Sequence, residues 1–526
     1  MSILKASGVI GGLTLISRLF GFARDMLLSR ILGAGLAADA FFVAFRLPNL
    51  FRRLFAEGAF SAAFVPMFSK HLHGAGGRAE GERFAGHVLA VFVPLLLLFT
   101  ALFEIFMPAL VWVMASSYQN VPGKFELTVQ LTRIAFPYLM LVSLVSLLSG
   151  ILNSLSRFAA AAAAPILLNI CLIGGVLFIR TPAEATAMSL AVAVSIAGIV
   201  QFIWLLWAVK RAGIDLRLRW PRLTPDVRQL GRVILPATFG AGIYQLSQLI
   251  DTFFVTRLPQ GSISYLNYAD RLNQLPLGVI GIALGTAILP TLSRFIGQNN
   301  RDEANRVQAQ AIELAMLLTV PAAVGLGVCA WPLVSAFYVG GKFSLADAAI
   351  TAQVLAALVS GLPAYVLVKV LTPGYFARGD TRTPVKTAAA ALAVNVVLIL
   401  LLIPKYGLVG MAIATPLSSW FNCFLLYYFL HKRGHFNVPL AVARRIAAQL
   451  VAAALMGALL WWLRGFTDDM FAGSAHTRIG GLVLLVGTGV PLYFGASWVL
   501  GGVDRDLLAQ LSRKKRAAPV AAGEGE

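Results

Sequence analysis

The chain has 526 residues, of which 58% are hydrophobic and 13% charged, and its mean hydropathy is +0.79. A soluble protein carries about 25% charged residues, so this sequence cannot cover its own surface with polar groups, and a large water-soluble enzyme is excluded. The balance of 43 Lys+Arg against 23 Asp+Glu gives a net charge of +20, which points either to nucleic acid or to basic loops flanking membrane spans.

In chain order, fourteen apolar segments are bounded by charge or by Pro/Gly clusters, centred near Thr14, Asn49, Leu97, Val142, Ile170, Ala197, Ile243, Gly278, Val320, Leu358, Val396, Pro416, Ala453 and Leu485. The stretch after Lys5 is interrupted by Arg18 and has no small-residue cleavage site, so it reads as a span and not as a cleavable signal. With both termini inside, 27 basic residues fall in cytoplasmic segments and 8 in outer ones. This bias sets the orientation and absorbs the charge without nucleic acid as a partner. Cys171, Cys329 and Cys423 lie far apart in apolar runs and indicate neither disulfide nor zinc. His71 and His73 resemble half a metal site but read as two solvated loop residues.

An internal repeat recurs at a spacing of about 225 residues. Ala59 to Ser69 parallels Ala283 to Ser293, aligning Pro66 with Pro290. Phe136-Pro137-Tyr138 parallels Leu362-Pro363-Ala364, and Asn169 parallels Asn395. A same-direction repeat implies two six-helix lobes. The expected organisation is therefore all-α and polytopic with fourteen transmembrane helices. Residues 1–209 form an N-lobe, 210–433 a basic linker and C-lobe, 434–503 two further helices, and 504–526 a basic cytoplasmic tail.

The least apolar spans carry the chemistry. Each Arg at a span centre costs about 2.5–3.5 kcal/mol to insert, and the first two spans hold Arg18, Arg24, Arg46, Arg52 and Arg53. Asp25, Asp39 and Glu57 are the carboxylates at hand to partner them. Arg18 and Asp25, seven apart, share a helix face, whereas Arg24 lies about 120° away. Beyond Pro48, Asn49, Arg52, Arg53 and Glu57 form one stripe. In the eighth span Asp270 and Arg271 sit amid Ser264, Asn267, Gln274, Gly278, Gly281 and Gly285, which reads as a cavity wall. Arginines in such a wall suit a pyrophosphate, which a guanidinium grips through two parallel N–H groups. Arg46, Arg53, Arg133 and Lys369 read instead as structural pairs or snorkelling groups, and Glu104 and Glu313 as interhelical or interfacial. Asp251, in the seventh span, reads equally as a ligand for a coupling cation or as a buried neutral carboxyl.

The segments SRLFGFARD (Ser17 to Asp25), DAFFVAFRLPNLFRRLFAEGAF (Asp39 to Phe60), YADRL (Tyr268 to Leu272) and KVLTPGYFAR (Lys369 to Arg378) resemble the MurJ/MviN family of bacterial lipid II flippases over essentially the whole chain. That family belongs to the MOP exporter superfamily, with the MATE drug exporters as distant relatives. The resemblance implies a MATE-like fold with a central cationic cavity. Substrate would be held by Arg18, Arg24, Asp25, Asn49, Arg52 and Arg271, and Ser17, Asp39, Arg53, Glu57, Ser264 and Asp270 would support or gate. It further implies that the last two spans form a groove for a lipid tail. This chain departs from the family at Asn273 and Gln274, where many relatives have a Glu. Some relatives bind sodium. Asp251, Asn395 and Thr415 look like the matching ligands, although Ile399 stands where a second carboxylate is expected.

The function implied is translocation of undecaprenyl-pyrophosphate-linked peptidoglycan precursor, by alternating access, across the bacterial inner membrane. The implied partners are lipid II, membrane lipids and other cell-wall synthesis proteins, and no cofactor is implied beyond sodium. The alternative in the same structural class is a cation-coupled MATE-like drug exporter, which would want an acidic cavity where the first two spans net +2. An enzyme would need a phosphate-binding loop, metal motif or nucleophile elbow, and none is visible.

Overall fold

The computed structural model describes residues 3–53, 60–217 and 219–503. Glu57 and the predicted tail 504–526 lie outside the described residues. Among those residues the chain is all-helical, with one isolated β-bridge between Gly340 and Phe343. The helices, in order, are α1 (Ile3–Leu32), α2 (Leu36–Phe51), α3 (Phe60–His73), α4 (Gly77–Ile105), α5 (Met107–Ala115), α6 (Lys124–Ala135), α7 (Tyr138–Ser154), α8 (Phe158–Phe178) and α9 (Ala183–Arg211). They are followed by α10 (Pro225–Val255), α11 (Ser262–Gly297), α12 (Arg301–Val328), α13 (Ala330–Tyr338), α14 (Leu345–Val359), α15 (Leu362–Phe376), α16 (Arg382–Lys432), α17 (Leu440–Ala472) and α18 (Ala475–Val499).

Each of the fourteen predicted centres falls within a helix. Nine helices among the described residues are long and apolar enough to cross a membrane, so the protein is a multi-pass membrane protein; the number fourteen is a reading of the sequence alone. The long helix α16 contains a break at Gly407, whose φ of 55° and ψ of −129° leave the helical region. Glycine meets that geometry without a Cβ clash. The stretches on either side, 382–406 and 408–432, are each about 37 Å long at 1.5 Å per residue, enough for the roughly 30 Å of a bilayer core.

The repeated motifs mark repeated irregularities. Pro66 and Pro290 both sit inside helices, α3 and α11. Phe136-Pro137 separates α6 from α7, and Ser360-Gly361 separates α14 from α15 just before Pro363. Helix starts outside the apolar stretches are capped in the usual way: Thr224 Oγ1 accepts from the Val227 amide ahead of α10, and Asn300 Oδ1 accepts from the Glu303 amide ahead of α12.

The chain divides into two compact units. The first comprises 1–271, 337–351 and 399–411, and the second 272–336, 352–398 and 412–526. In the first, a ladder of aromatic rings forms the core. Phe64 stacks on Phe60, Phe68 and Phe84 at centroid distances of 5.3, 5.6 and 5.8 Å, packed by Leu147, Ile151, Leu205 and Val209. In the second, α12 packs against α15 and α17. The predicted interhelical role of Glu313 takes concrete form there: it is buried and meets Arg445 Nη1 at 3.0 Å. Large side chains such as Leu98, Ile105, Trp461 and Phe466 are exposed, as expected where the outer face meets acyl chains instead of water.

His71 differs from its expected place in a solvated loop. It lies in the last turn of α3, stacks on Phe84 and bonds Glu80 through Nδ1 at 2.9 Å. An imidazole can lay its ring on an apolar face while its nitrogens keep polar partners.

Candidate functional site

Within the first unit, α1, α8 and the start of α11 bring three charged residues and an amide together. Arg24 folds back on its own neighbour: Nε and Nη2 donate to Asp25 Oδ1 at 2.8 and 2.7 Å. The other Asp25 oxygen lies 2.5 Å from Arg271 Nε. One buried carboxylate is thus held between two guanidiniums. Arg18 is near enough to Arg271 for the two cations to repel. Helical phase puts Arg18 and Asp25 on one face with Arg24 about 120° away, yet Arg24 reaches Asp25, because a flexible arginine side chain spans the angle its backbone position leaves open.

Asn169, read from sequence only as one half of the repeat, is the group that was missed. Its Nδ2 donates to the carbonyls of Ser17 and Pro165, both at 3.1 Å. That fixes the amide so that Oδ1 faces Arg24, accepting from Nη1 at 3.0 Å. Gly21 is the second missed element. A Cβ there would overlap the Arg271 guanidinium and stand 3.6 Å from Asn169 Nδ2, so the bare backbone at this turn of α1 is what lets Arg271 lie against it. Behind the cluster Tyr338 donates to the carbonyl of Tyr268, and Tyr268 to that of Gly33.

A second constellation gathers two of the predicted supporting residues. Asp39, 2% exposed, accepts from Lys124 Nζ at 2.9 Å, the Gly261 amide at 2.8 Å, and Ser264 through both Oγ at 2.7 Å and the amide at 3.3 Å. Asp39 therefore does not offset an arginine of the first two spans. Its cation is Lys124, which the sequence had placed in an outer loop and which is 3% exposed. A buried carboxylate needs a partner of opposite charge plus hydrogen bonds to its remaining lone pairs, and here it has both.

The other candidates are distributed around these two groups. Arg52 Nε donates to Asn49 Oδ1 at 2.9 Å, so the predicted stripe beyond Pro48 does bring those two together. Arg46 Nη1 bonds Thr252 Oγ1 at 2.6 Å, a structural tie as expected. Arg53 is partly buried at the end of α2. Asp270 precedes Arg271 on α11 and is partly buried. Gly281 and Gly285 of the expected cavity wall have an occupant within the second unit. The stem of Lys369 lies against them, with Cδ and Nζ 3.2 Å from where a Gly281 Cβ would be.

Asp251 belongs to the first unit, Asn395 and Thr415 to the second. Ser418 Oγ joins the latter two, reaching Asn395 Oδ1 at 3.4 Å and the Thr415 carbonyl at 2.9 Å. These are oxygen donors, the kind a hard cation takes.

A family model described as lipid II flippase MurJ matches residues 28–480. The chain is 40% identical to a probable lipid II flippase MurJ of Rhizobium tropici, covering 99% of this chain and 98% of that one. It is 34% identical to the lipid II flippase MurJ of Burkholderia cenocepacia, covering 95% and 98%. Among solved structures, a lipid II flippase MurJ in an inward closed conformation matches with a TM-score of 0.78 at 25% identity over 95% of this chain and 99% of that one. An inward-facing MATE family multidrug transporter of the MOP superfamily matches with a TM-score of 0.65 at 16% identity over 81% and 97%, a likeness of fold alone.

Proposed function

We propose, from the premise that this chain belongs to the lipid II flippase MurJ family, that it carries lipid II from the cytoplasmic to the outer leaflet of the bacterial inner membrane for peptidoglycan assembly. It is a transporter and not an enzyme. The lobes 1–209 and 210–433 are the parts that alternate access, and both termini are cytoplasmic.

The observation that carries this reading is the grip of Arg24 and Arg271 on Asp25. Arg24 donates two N–H groups to one Asp25 oxygen and Arg271 stands in ion-pair contact with the other; two guanidiniums gathered on one anionic group can take a phosphate, which has the same charge type and more acceptor atoms. An unpaired anion in hydrocarbon would cost tens of kcal/mol. A path that offers arginines replaces lost hydration at each step. The diphosphate competes with Asp25 for the guanidiniums, while Arg18, Asn49 and Arg52 extend the cationic and polar surface. Ser17, which holds Asn169 through its carbonyl, and Asp270 act behind them, and Arg53 and Glu57 are assigned to gating. The membrane potential, positive outside, favours outward movement of the anionic head by about 2.3 kcal/mol per charge per 100 mV. The oxygen donors Asn395 and Thr415, joined by Ser418 within the second unit, are proposed as ligands of a sodium ion, tested by whether transport depends on sodium.

The decisive experiment depletes the protein and asks whether lipid II builds up where an externally added reagent cannot reach it. Accumulation on the cytoplasmic leaflet is the expected result. Unchanged external accessibility would overturn the assignment.

A further inference from the structure

The segment joining α9 to α10 is fastened at both ends. Ile214, Val227 and Leu230 are buried in the aromatic core with Phe84 and Val88. The Asp215 amide donates to Glu82 Oε1 at 3.1 Å. The Arg217 carbonyl and the stem of Arg219 lie against Gly86, where a Cβ would stand 2.9 Å from the carbonyl oxygen and 3.3 Å from Arg219 Nε.

Gly86 is where α4 changes character. Arg78, Glu80, Glu82 and Arg83 precede it, and from Val88 to Leu102 the helix is apolar but for Thr100. The linker therefore crosses α4 at the level where that helix enters hydrocarbon. The end of α9 marks the same level independently: Trp207 is 49% exposed and the Arg211 guanidinium lies over its ring at 5.3 Å. An amphipathic ring beside a cation is the signature of the headgroup layer.

At this level the anchored segment turns Trp220, 84% exposed, and Leu223, 66% exposed, outward. Arg219 and Arg222, both exposed, flank the indole. The acidic groups of the same face are engaged elsewhere: Asp215 with Arg217 at 2.8 Å, Glu82 with Arg78 at 3.4 Å, and Glu80 and Asp226 on either side of His71 at 2.9 and 3.8 Å. Two apolar side chains between two arginines, held at the membrane boundary, match an anionic lipid surface in both charge and polarity.

We propose that residues 219–223 form an interfacial foot, with Trp220 and Leu223 at the acyl boundary and Arg219 and Arg222 on the phosphates of anionic phospholipids. The foot pins the junction of α9 and α10 to the plane of the membrane and does not depend on what the transporter carries.

The full-length protein carrying Leu223→Cys, labelled there with a polarity-sensitive fluorophore, tests this in nanodiscs of phosphatidylcholine alone or mixed with phosphatidylglycerol. Cys171→Ser protein, whose remaining Cys329 and Cys423 are buried while Cys171 is partly exposed, is the parent for the labelled variant and sets the background. In mixed discs the emission should shift to the blue and be quenched by lipids brominated near the headgroup; phosphatidylcholine alone should show much less of both. Arg219→Gln combined with Arg222→Gln should lower the docked-to-undocked ratio about 30-fold, since each basic residue at an anionic surface is worth ~1 kcal/mol, or about fivefold. High salt should act in the same direction. Equal, water-like emission in both lipids would overturn the proposal, as would a blue shift that survives the double substitution. A shift produced by inorganic phosphate in phosphatidylcholine discs would move the site to a free anion and overturn the lipid assignment.

Discussion

Gly21→Ala should separate folding from transport. An added Cβ would overlap the Arg271 guanidinium and lie 3.3 Å from its Cζ. Ordinary carbon contacts begin near 3.5 Å, so the guanidinium has to retreat by on the order of 1 Å. Its Nε stands 2.5 Å from Asp25, and that pairing is lost in the retreat. An interaction with a charged group is worth about 1.5–3 kcal/mol, which is roughly 10- to 150-fold at tenfold per 1.4 kcal/mol. Stability is pulled both ways: alanine is favoured over glycine inside a helix by about 1 kcal/mol, and loss of Arg271 from Asp25, which Arg24 still holds, offsets that gain, so a melting curve accompanies the transport assay. The control is Gly12→Ala on the same helix, where nothing lies within 4 Å of the new Cβ. In cells depleted of the native protein, lipid II should stay shielded from an external reagent with the first variant and reach it with the second. If both variants transport like wild type while folded, the seating of Arg271 has no part in transport.

Arg24→Ala or Arg271→Ala should abolish transport with the protein still folded, and full complementation of a depleted strain by both would refute the cationic-grip argument. Asp39→Asn should lower the melting temperature sharply, because breaking a buried pair costs about 3–5 kcal/mol. Pairing it with Lys124→Met should restore much of the loss, and a thermal-shift assay on the single and double variants reads the difference. In the loop before α16, hydrogen bonds from Thr383, and then Arg433, hold the Asp380 carboxyl well below the usual carboxylate range. A depressed carboxyl contributes stability above its unfolded pKa and loses it as pH falls through the folded value. Asp380→Asn should therefore lower the melting temperature at neutral pH and flatten its acid dependence below about pH 4; an acid limb as steep as wild type would count against this.

Much of the architecture could be read from one-dimensional pattern. Apolar length and Pro/Gly punctuation located fourteen segments that each fall within a helix, although α3, α5, α6, α13 and α15 had no centre of their own, and the cost of charge in lipid singled out Arg24, Asp25 and Arg271. What could not be read was pairing across the chain. Asn169 meets Arg24 from 145 positions away and Lys124 meets Asp39 from 85, and no periodicity encodes such distances. Lys124 looked like a loop cation because it begins a helix next to Gly123. Gly21 gave no signal at all, since a missing side chain matters only for what rests against it. The stripe of Gly281 and Gly285 was visible, but a row of small residues does not say whether a ligand or a neighbouring lysine fills it.

Asp39 has a consequence for timing. Its oxygens are shared among donors from the starts of α6 and α11, and α2 carries the carboxylate itself. If a single donor lets go, the others still confine a charge away from water, a state worse than either full engagement or full release. Such a knot holds or opens as a whole, so these three helix ends should come apart simultaneously.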